Sequence, residues 1–318
     1  MNSAHLRSLT FRSLALLIVL MPTARIASNA QNTDIFELNV FERPGSDTVG
    51  FVSLSEVLYI SEHPDSTFMP EITEMPEDSA SNYERIVLKD SIRKSVLSQS
   101  GLRENDRLFV YAFSKNILIS IKLKELPLVA QLSPYAYEWP YHQEDYQIGF
   151  ELTKKQLQGL NVMYTWALVT IGKKHPFEVG KMSNIVWQPI STSVFPTEKL
   201  SLKEESDLSS PMLEAGASYM ATYDTLVFYT QELMRDSEQA GKRLLVLGKN
   251  SQQNIFEHTY YNGESTMIAT PEEQYTGVLF KNRPPVVMGF TWESFGCPSI
   301  QFINPEKQTI VIRCDNRH

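Results

Sequence analysis

Two stretches of this 318-residue chain bring together side chains whose types and spacing suit chemistry. The first, residues 133–146, reads SPYAYEWPYHQEDY. It interleaves Tyr135, Tyr137, Trp139, Tyr141 and Tyr146 with Glu138, His142, Glu144 and Asp145, and Pro134 and Pro140 break regular structure within it. Aromatic rings with polar tips on a proline-stiffened loop make a platform for sugars or peptides. The candidate ligand-binding residues are therefore Tyr135, Tyr137, Trp139, Tyr141, His142, Glu144 and Asp145. The alternative is that the rings close the end of a β core and bond their hydroxyls to backbone.

The second stretch, GCPSIQFINPEKQTIVIRCDN, runs from Gly296 to Asn316 and holds both cysteines, Cys297 and Cys314. In an oxidising compartment two cysteines pair, and a Cys297–Cys314 disulfide is expected. If Pro305-Glu306 centre the intervening turn, Ile300 faces Val311 and Cys297 faces Cys314. Slipping the register by one residue builds a cleaner apolar face from Ile300, Phe302, Ile310, Ile312 and Cys314, with Cys297 turned away. Gly296 and Pro298 flank Cys297 and can end the strand there, which releases it from that parity. The rival reading makes Cys297 a nucleophile with His258 or His318 as base, which needs an accessible thiol of depressed pKa.

Elsewhere the motifs of catalysis are missing. No His pair sits at i, i+4, and there is no H-E-x-x-H, G-x-S-x-G, G-x-G-x-x-G or complete phosphate loop. No cofactor and no metal is expected. Thirty-seven Asp and Glu residues leave room for a glycosidase, whose two carboxylates face each other across a cleft and come from distant strands. Trp166, Trp187 and Trp292 lie in strand-like runs and are expected in cores.

The compartment follows from the N-terminus. Arg7 and Arg12 flank the apolar run Leu14–Met21, Pro22 ends it, and Ser28-Asn29-Ala30 offers a cleavage site before Gln31. This is the pattern of a secretory signal peptide over residues 1–30, too short to span a bilayer. Its removal deletes Arg7, Arg12 and Arg25 and no acid, moving the formal charge from −8 to −11. No later stretch is long and apolar enough to be a transmembrane helix. The acidic balance, with no Lys/Arg run, argues against nucleic acid as partner.

Five of the eleven aspartates precede Ser or Thr and then a small or aliphatic residue, at Asp47, Asp65, Asp78, Asp90 and Asp224. The pattern resembles the O-glycosylation motif of a general system in one group of Gram-negative bacteria. Asp-Ser and Asp-Thr also start turns and helices. With no Asn-x-Ser/Thr sequon, the chain leans toward a bacterial source.

The elements that must position these residues are mostly strands. LFVYAF (Leu108–Phe113) and ILISIKL (Ile117–Leu123) flank a hairpin-length turn. Further runs follow at Gln147–Leu152, Val162–Ile171 and Asn184–Ile190, and eight more lie between Leu226 and Arg313. One clear helix is expected near 90–100, ended by Gly101, and a short one at Leu233–Gly241. Residues 62–81, with three prolines and six acids, read as an exposed loop. The expected organisation is a signal peptide (1–30), a β-rich lobe (31–195), a polar linker or long loop (196–211) and an antiparallel β lobe (212–318). The fold class is mainly β with a few short helices, in antiparallel sandwich- or barrel-like sheets. The expected function is non-catalytic binding of a glycan or cell-envelope protein in the periplasm or outside the cell. The runner-up is a secreted carboxylate-based glycosidase.

Overall fold

Unbroken apolar runs and alternating ones build different kinds of sheet, and this chain uses both. The computed structural model describes residues 34–42, 48–56, 83–136, 139–160, 166–201, 213–294, 296–304 and 306–315; the expected signal peptide, the loop at 62–81 and Tyr137 lie outside these.

The first half contributes β1 (Phe36–Glu37), β2 (Asn39–Glu42), β3 (Thr48–Ser53), β4 (Arg85–Val87), α1 (Asp90–Gln99), β5 (Arg107–Ala112), β6 (Ile117–Lys122), β7 (Leu128–Leu132), β8 (Tyr146–Leu152) and β9 (Leu168–Gly172). Then come β10 (Met182–Asn184), β11 (Gln188–Ile190), β12 (Glu214–Tyr223), β13 (Leu226–Arg235), β14 (Glu238–Gly248), β15 (Asn254–Tyr261) and β16 (Thr266–Ile268). The chain finishes with β17 (Tyr275–Gly277), β18 (Val286–Met288), β19 (Thr291–Glu293), β20 (Ser299–Phe302) and β21 (Ile310–Val311). The fold is mainly β, as expected, and the named strands pair antiparallel throughout.

Four sheets, ordered β2-β3-β8-β7-β4, β1-β9-β5-β6, β10-β17-β18-β20-β21 and β11-β12-β13-β14-β15, enclose three successive cores. Val52, Ile148 and Phe150 meet Leu108, Val110 and Val169 in the first core, with Val96 and Leu97 of α1. Tyr111, Phe113 and Leu168, on the opposite face of the second sheet, meet Val286, Met288, Ile300 and Phe302. Val287, between two residues of that second core, turns the other way to join Phe228, Leu244, Val246 and Phe256. This explains the unbroken apolar run of β5: both of its faces are buried, so the strand does not alternate. Each fully buried Leu, Ile, Val or Phe contributes about 1.5–3 kcal/mol.

The helix forms where expected. Ile92, Val96 and Leu97 give it an apolar stripe, and Gly101 follows its end at φ +67°. Asp90 sits in its first turn, and Lys89 holds the cap position.

Leu233–Gly241 is not a helix. The chain runs straight from β13 into β14 through Asp236 and Ser237, at φ 51° and 69°. Two consecutive positive φ values make the tight turn whose twist matches a hairpin. Phe228, Leu244 and Val246 bury one face of this hairpin, and that tertiary gain outweighs a local helical pattern.

The run Asn184–Ile190 divides between two sheets. β10 pairs with β17 and β11 with β12, while Ile185 between them is buried in the third core. Both short strands therefore join sheets built mostly from the C-terminal part, and the second core mixes Ile35, Tyr111 and Leu168 with Val286, Ile300 and Ile312. Of the expected linker, residues 196–201 are described, and they lie along the outer face of the last sheet. Phe195 and Leu200 pack against Leu245, Leu247 and Tyr229, and Ser201 donates from its backbone N–H to the Glu257 carboxylate at 2.9 Å.

Candidate functional site

The loop 133–146 turns most of its rings inward. Trp139 and Tyr141 are half-buried against the first core and meet edge to face, 5.2 Å between centroids. Tyr141 in turn meets Tyr146 edge to face, and Tyr83 lies 6.1 Å from Trp139. Tyr146 is buried, and its hydroxyl donates to the Tyr83 carbonyl at 2.6 Å; burial pushes its phenol pKa well up. The Trp139–Pro140 peptide is cis. His142 and Asp145 bond to each other's backbone around a single 3-10 turn, with the His142 N–H donating to the Asp145 carboxylate at 2.6 Å. Tyr135 and Glu144 are exposed. The structure thus brings Trp139, Tyr141 and Tyr146 together as a packed ring cluster, and leaves Tyr135, His142 and Glu144 facing water beside it.

Cys297 and Cys314 form the expected disulfide, with Cα atoms 5.4 Å apart. The register is the slipped one. Ser299 pairs with Val311 and Ile300 with Ile310, so Ile300, Phe302 and Ile312 are buried while Val311 is exposed. Cys297 reaches its partner because β20 starts only at Ser299, two residues later. Neither cysteine is a free thiol, which removes Cys297 as a nucleophile in this form.

The surroundings of the bridge were not legible in the sequence. Glu56 arrives from beyond β3, accepts the Asp315 N–H at 2.7 Å, and lies 3.5 Å from Cys297 Sγ. Arg313 approaches its other oxygen at 3.7 Å. Asp315 accepts the Ser53 hydroxyl, and its carbonyl accepts from the Gln147 amide. The C-terminal segment is therefore fastened to β3, β8 and the neighbourhood of Glu56. Among the described residues, Glu56, Cys297 and Cys314 are one group of metal-capable side chains that converges, but sulfurs bonded to each other are not thiolate ligands.

Trp292 overturns its expectation. It is 53% exposed, whereas Trp166 and Trp187 are half-buried against the second and third cores. The cause is the ribbon on which it sits. β16 and β19 pair only with each other, Met267 directly opposite Trp292, Ile268 opposite Thr291 and Thr266 opposite Glu293. One face carries Ile268, packed on the third core, and the Thr266 hydroxyl donating to Glu293 at 2.5 Å. Alternation sends Met267 and Trp292 to the other face, with Met267 54% exposed. Tyr261, at the end of β15, is exposed nearby in sequence.

Two basic side chains complete the electrostatic picture. Lys242 is buried on the inner face of β14, opposite Glu232 of β13. Burial lowers its pKa, with the Glu232 and Glu272 charges opposing that. His175 is pushed down first by burial and then by Lys281, whose Nζ lies 3.5 Å from its Nε2.

No protein-family model, curated protein or solved structure matches the chain.

Proposed function

We propose that this chain is an exported, non-catalytic binding protein that holds a cell-envelope glycan through the Trp292–Met267 face. The observation carrying this reading is that pair of large apolar side chains, each more than half exposed and directly opposed on a two-stranded ribbon. An indole that costs free energy to leave in water gains it back when a ligand covers it. Its flat face suits the C–H face of a sugar ring, and the thioether beside it adapts to shape. The ring cluster of residues 139–146 supports the ligand-free fold, while Tyr135, His142 and Glu144 offer polar contacts of their own.

Retention on a panel of immobilised envelope polysaccharides tests this, with wild type, Trp292→Ala and Trp139→Ala compared. Trp292→Ala should lose retention about tenfold or more at unchanged melting temperature. Retention of wild type by no polysaccharide, or equal retention of Trp292→Ala, overturns the reading. Release of shortened sugars by wild type overturns its non-catalytic part.

A further inference from the structure

The sequence holds no basic run, yet the fold assembles a basic surface. β5 pairs with both β9 and β6, so the start of β5 and the ends of the other two strands share one end of the sheet: Arg107 lies opposite Gly172 and opposite Lys122. Lys173 and Lys174 follow directly, both exposed. The next residues pair with a turn of the third sheet. Phe177 bridges Phe280, and the Lys281 N–H donates to the Pro176 carbonyl at 2.8 Å. This sets exposed Lys281 beside the same sheet end, with exposed Arg283 two residues on, its guanidinium over the Phe302 ring.

Three features distinguish this cluster from ordinary surface lysines. Arg107 and Lys122 are like charges directly across a strand pair, an arrangement that destabilises a sheet. The Lys281 ammonium is 3.5 Å from the His175 ring, a contact that disfavours the charged imidazole. And among the described residues none of Arg107, Lys122, Lys173, Lys174, Lys281 and Arg283 has an ion pair within 4.0 Å. The acids around them are engaged or few. Asp106 is buried and accepts the Arg103 N–H, Glu104 is held by Arg93, and half-buried Glu178 acts on His175.

We propose that this surface binds an acidic polysaccharide, one bearing sulfate or carboxylate groups. Cations without ion-pair partners, gathered on an acidic chain, create a local positive field that attracts an anionic partner. The patch carries no exposed aromatic ring: Phe109 beside His175 is buried, and the exposed apolar side chain in the stretch 173–180 is Val179 alone. A protein partner wants an aromatic or apolar centre, single-stranded nucleic acid wants a stacking ring, and a membrane surface wants an inserted apolar face. An acidic polysaccharide needs only spaced charges. Arg107 is already positioned for this, its guanidinium donating to the Ser120 hydroxyl at 2.6 Å. The proposal does not rest on Trp292, which lies in a different ribbon.

Binding of the full chain to dextran sulfate and polygalacturonate, with neutral dextran, duplex DNA and anionic vesicles as comparisons, tests it. Lys173→Glu/Lys281→Glu should weaken binding to the acidic polysaccharides about tenfold, and raising salt about tenfold should do the same. Lys154→Glu/Lys155→Glu, an exposed pair on the turn after β8, should leave binding within about twofold. Lys173→Gln/Lys281→Gln repeats the measurement without adding acids, should reversal disturb folding. Trp292→Ala should bind these two polymers as wild type does, which separates this surface from the proposed glycan face. Equal binding to neutral dextran, no effect of the Lys173/Lys281 pairs, or tighter binding to duplex DNA or vesicles overturns the proposal.

Discussion

Residues 139–146 and residues 291–294 are both short segments carrying an aromatic ring, yet they behave in opposite ways. In the first, Trp139 and Tyr141 lean on the core and on each other, and Tyr146 is buried with its hydroxyl satisfied. In the second, Trp292 stands out in water, and the segment is held by pairing with β16 and by the disulfide that starts at Cys297. The difference teaches that aromatic content marks a surface only where the backbone leaves a face uncovered. The first region borders a strand buried along its whole length; the second is a two-stranded ribbon with one face on the core.

If one region is held covalently and the other by packing, separate changes should weaken each. Replacing both Cys297 and Cys314 by serine should cost most, about 3 kcal/mol by loop closure over this span, read by urea unfolding. An unchanged midpoint would mean that Glu56, Ser53 and Gln147 hold the C-terminal segment without the bridge. Trp139→Ala should come next, at about 2 kcal/mol, because a half-buried ring leaves a gap against the first core. Tyr146→Phe should cost about 1 kcal/mol, the net worth of its hydrogen bond to the Tyr83 carbonyl. Trp292→Ser should change stability by less than about 0.5 kcal/mol. A larger loss there would erase the contrast, since Trp292 would then be a packed residue like Trp139.

Lys242→Met extends the same logic to charge. Lys242 is buried, and its folded-state pKa lies below the ordinary lysine value. A base with a depressed folded pKa favours the fold when neutral, so its protonated form works against it. Methionine should raise the melting temperature at pH 7, and the advantage should shrink as pH rises toward and past the ordinary lysine range. A lower melting temperature at pH 7 would show that Glu232 and Glu272 more than offset the burial.

Much of the fold was legible in the chain. The β5–β6 hairpin, α1 and the later strands follow from period and turn residues. The disulfide was legible as a pair but not as a geometry. The two registers each satisfied one constraint, apolar burial or facing cysteines, and the structure meets both because β20 begins after Pro298. The hairpin at Asp236-Ser237 was missed because nine residues of mixed polarity suit either period, and the choice was made by the hydrophobic face of β13 and β14. Of the candidate loop, both readings were visible, a ligand platform or rings closing the end of a core; Trp139, Tyr141 and Tyr146 follow the second, and composition, which carries no direction, could not choose between them.

What the sequence alone determined is the β-rich class, the cysteine pair and an acidic overall balance. These rest on local period and on counts, which do not depend on the path of the chain. Only the tertiary structure decided that Trp292 faces water, that Glu56 meets the disulfide, and that Arg107, Lys122, Lys173 and Lys281 gather at one sheet end. Each joins residues tens to hundreds of positions apart, or depends on which face a neighbouring layer covers, and no local pattern holds that information.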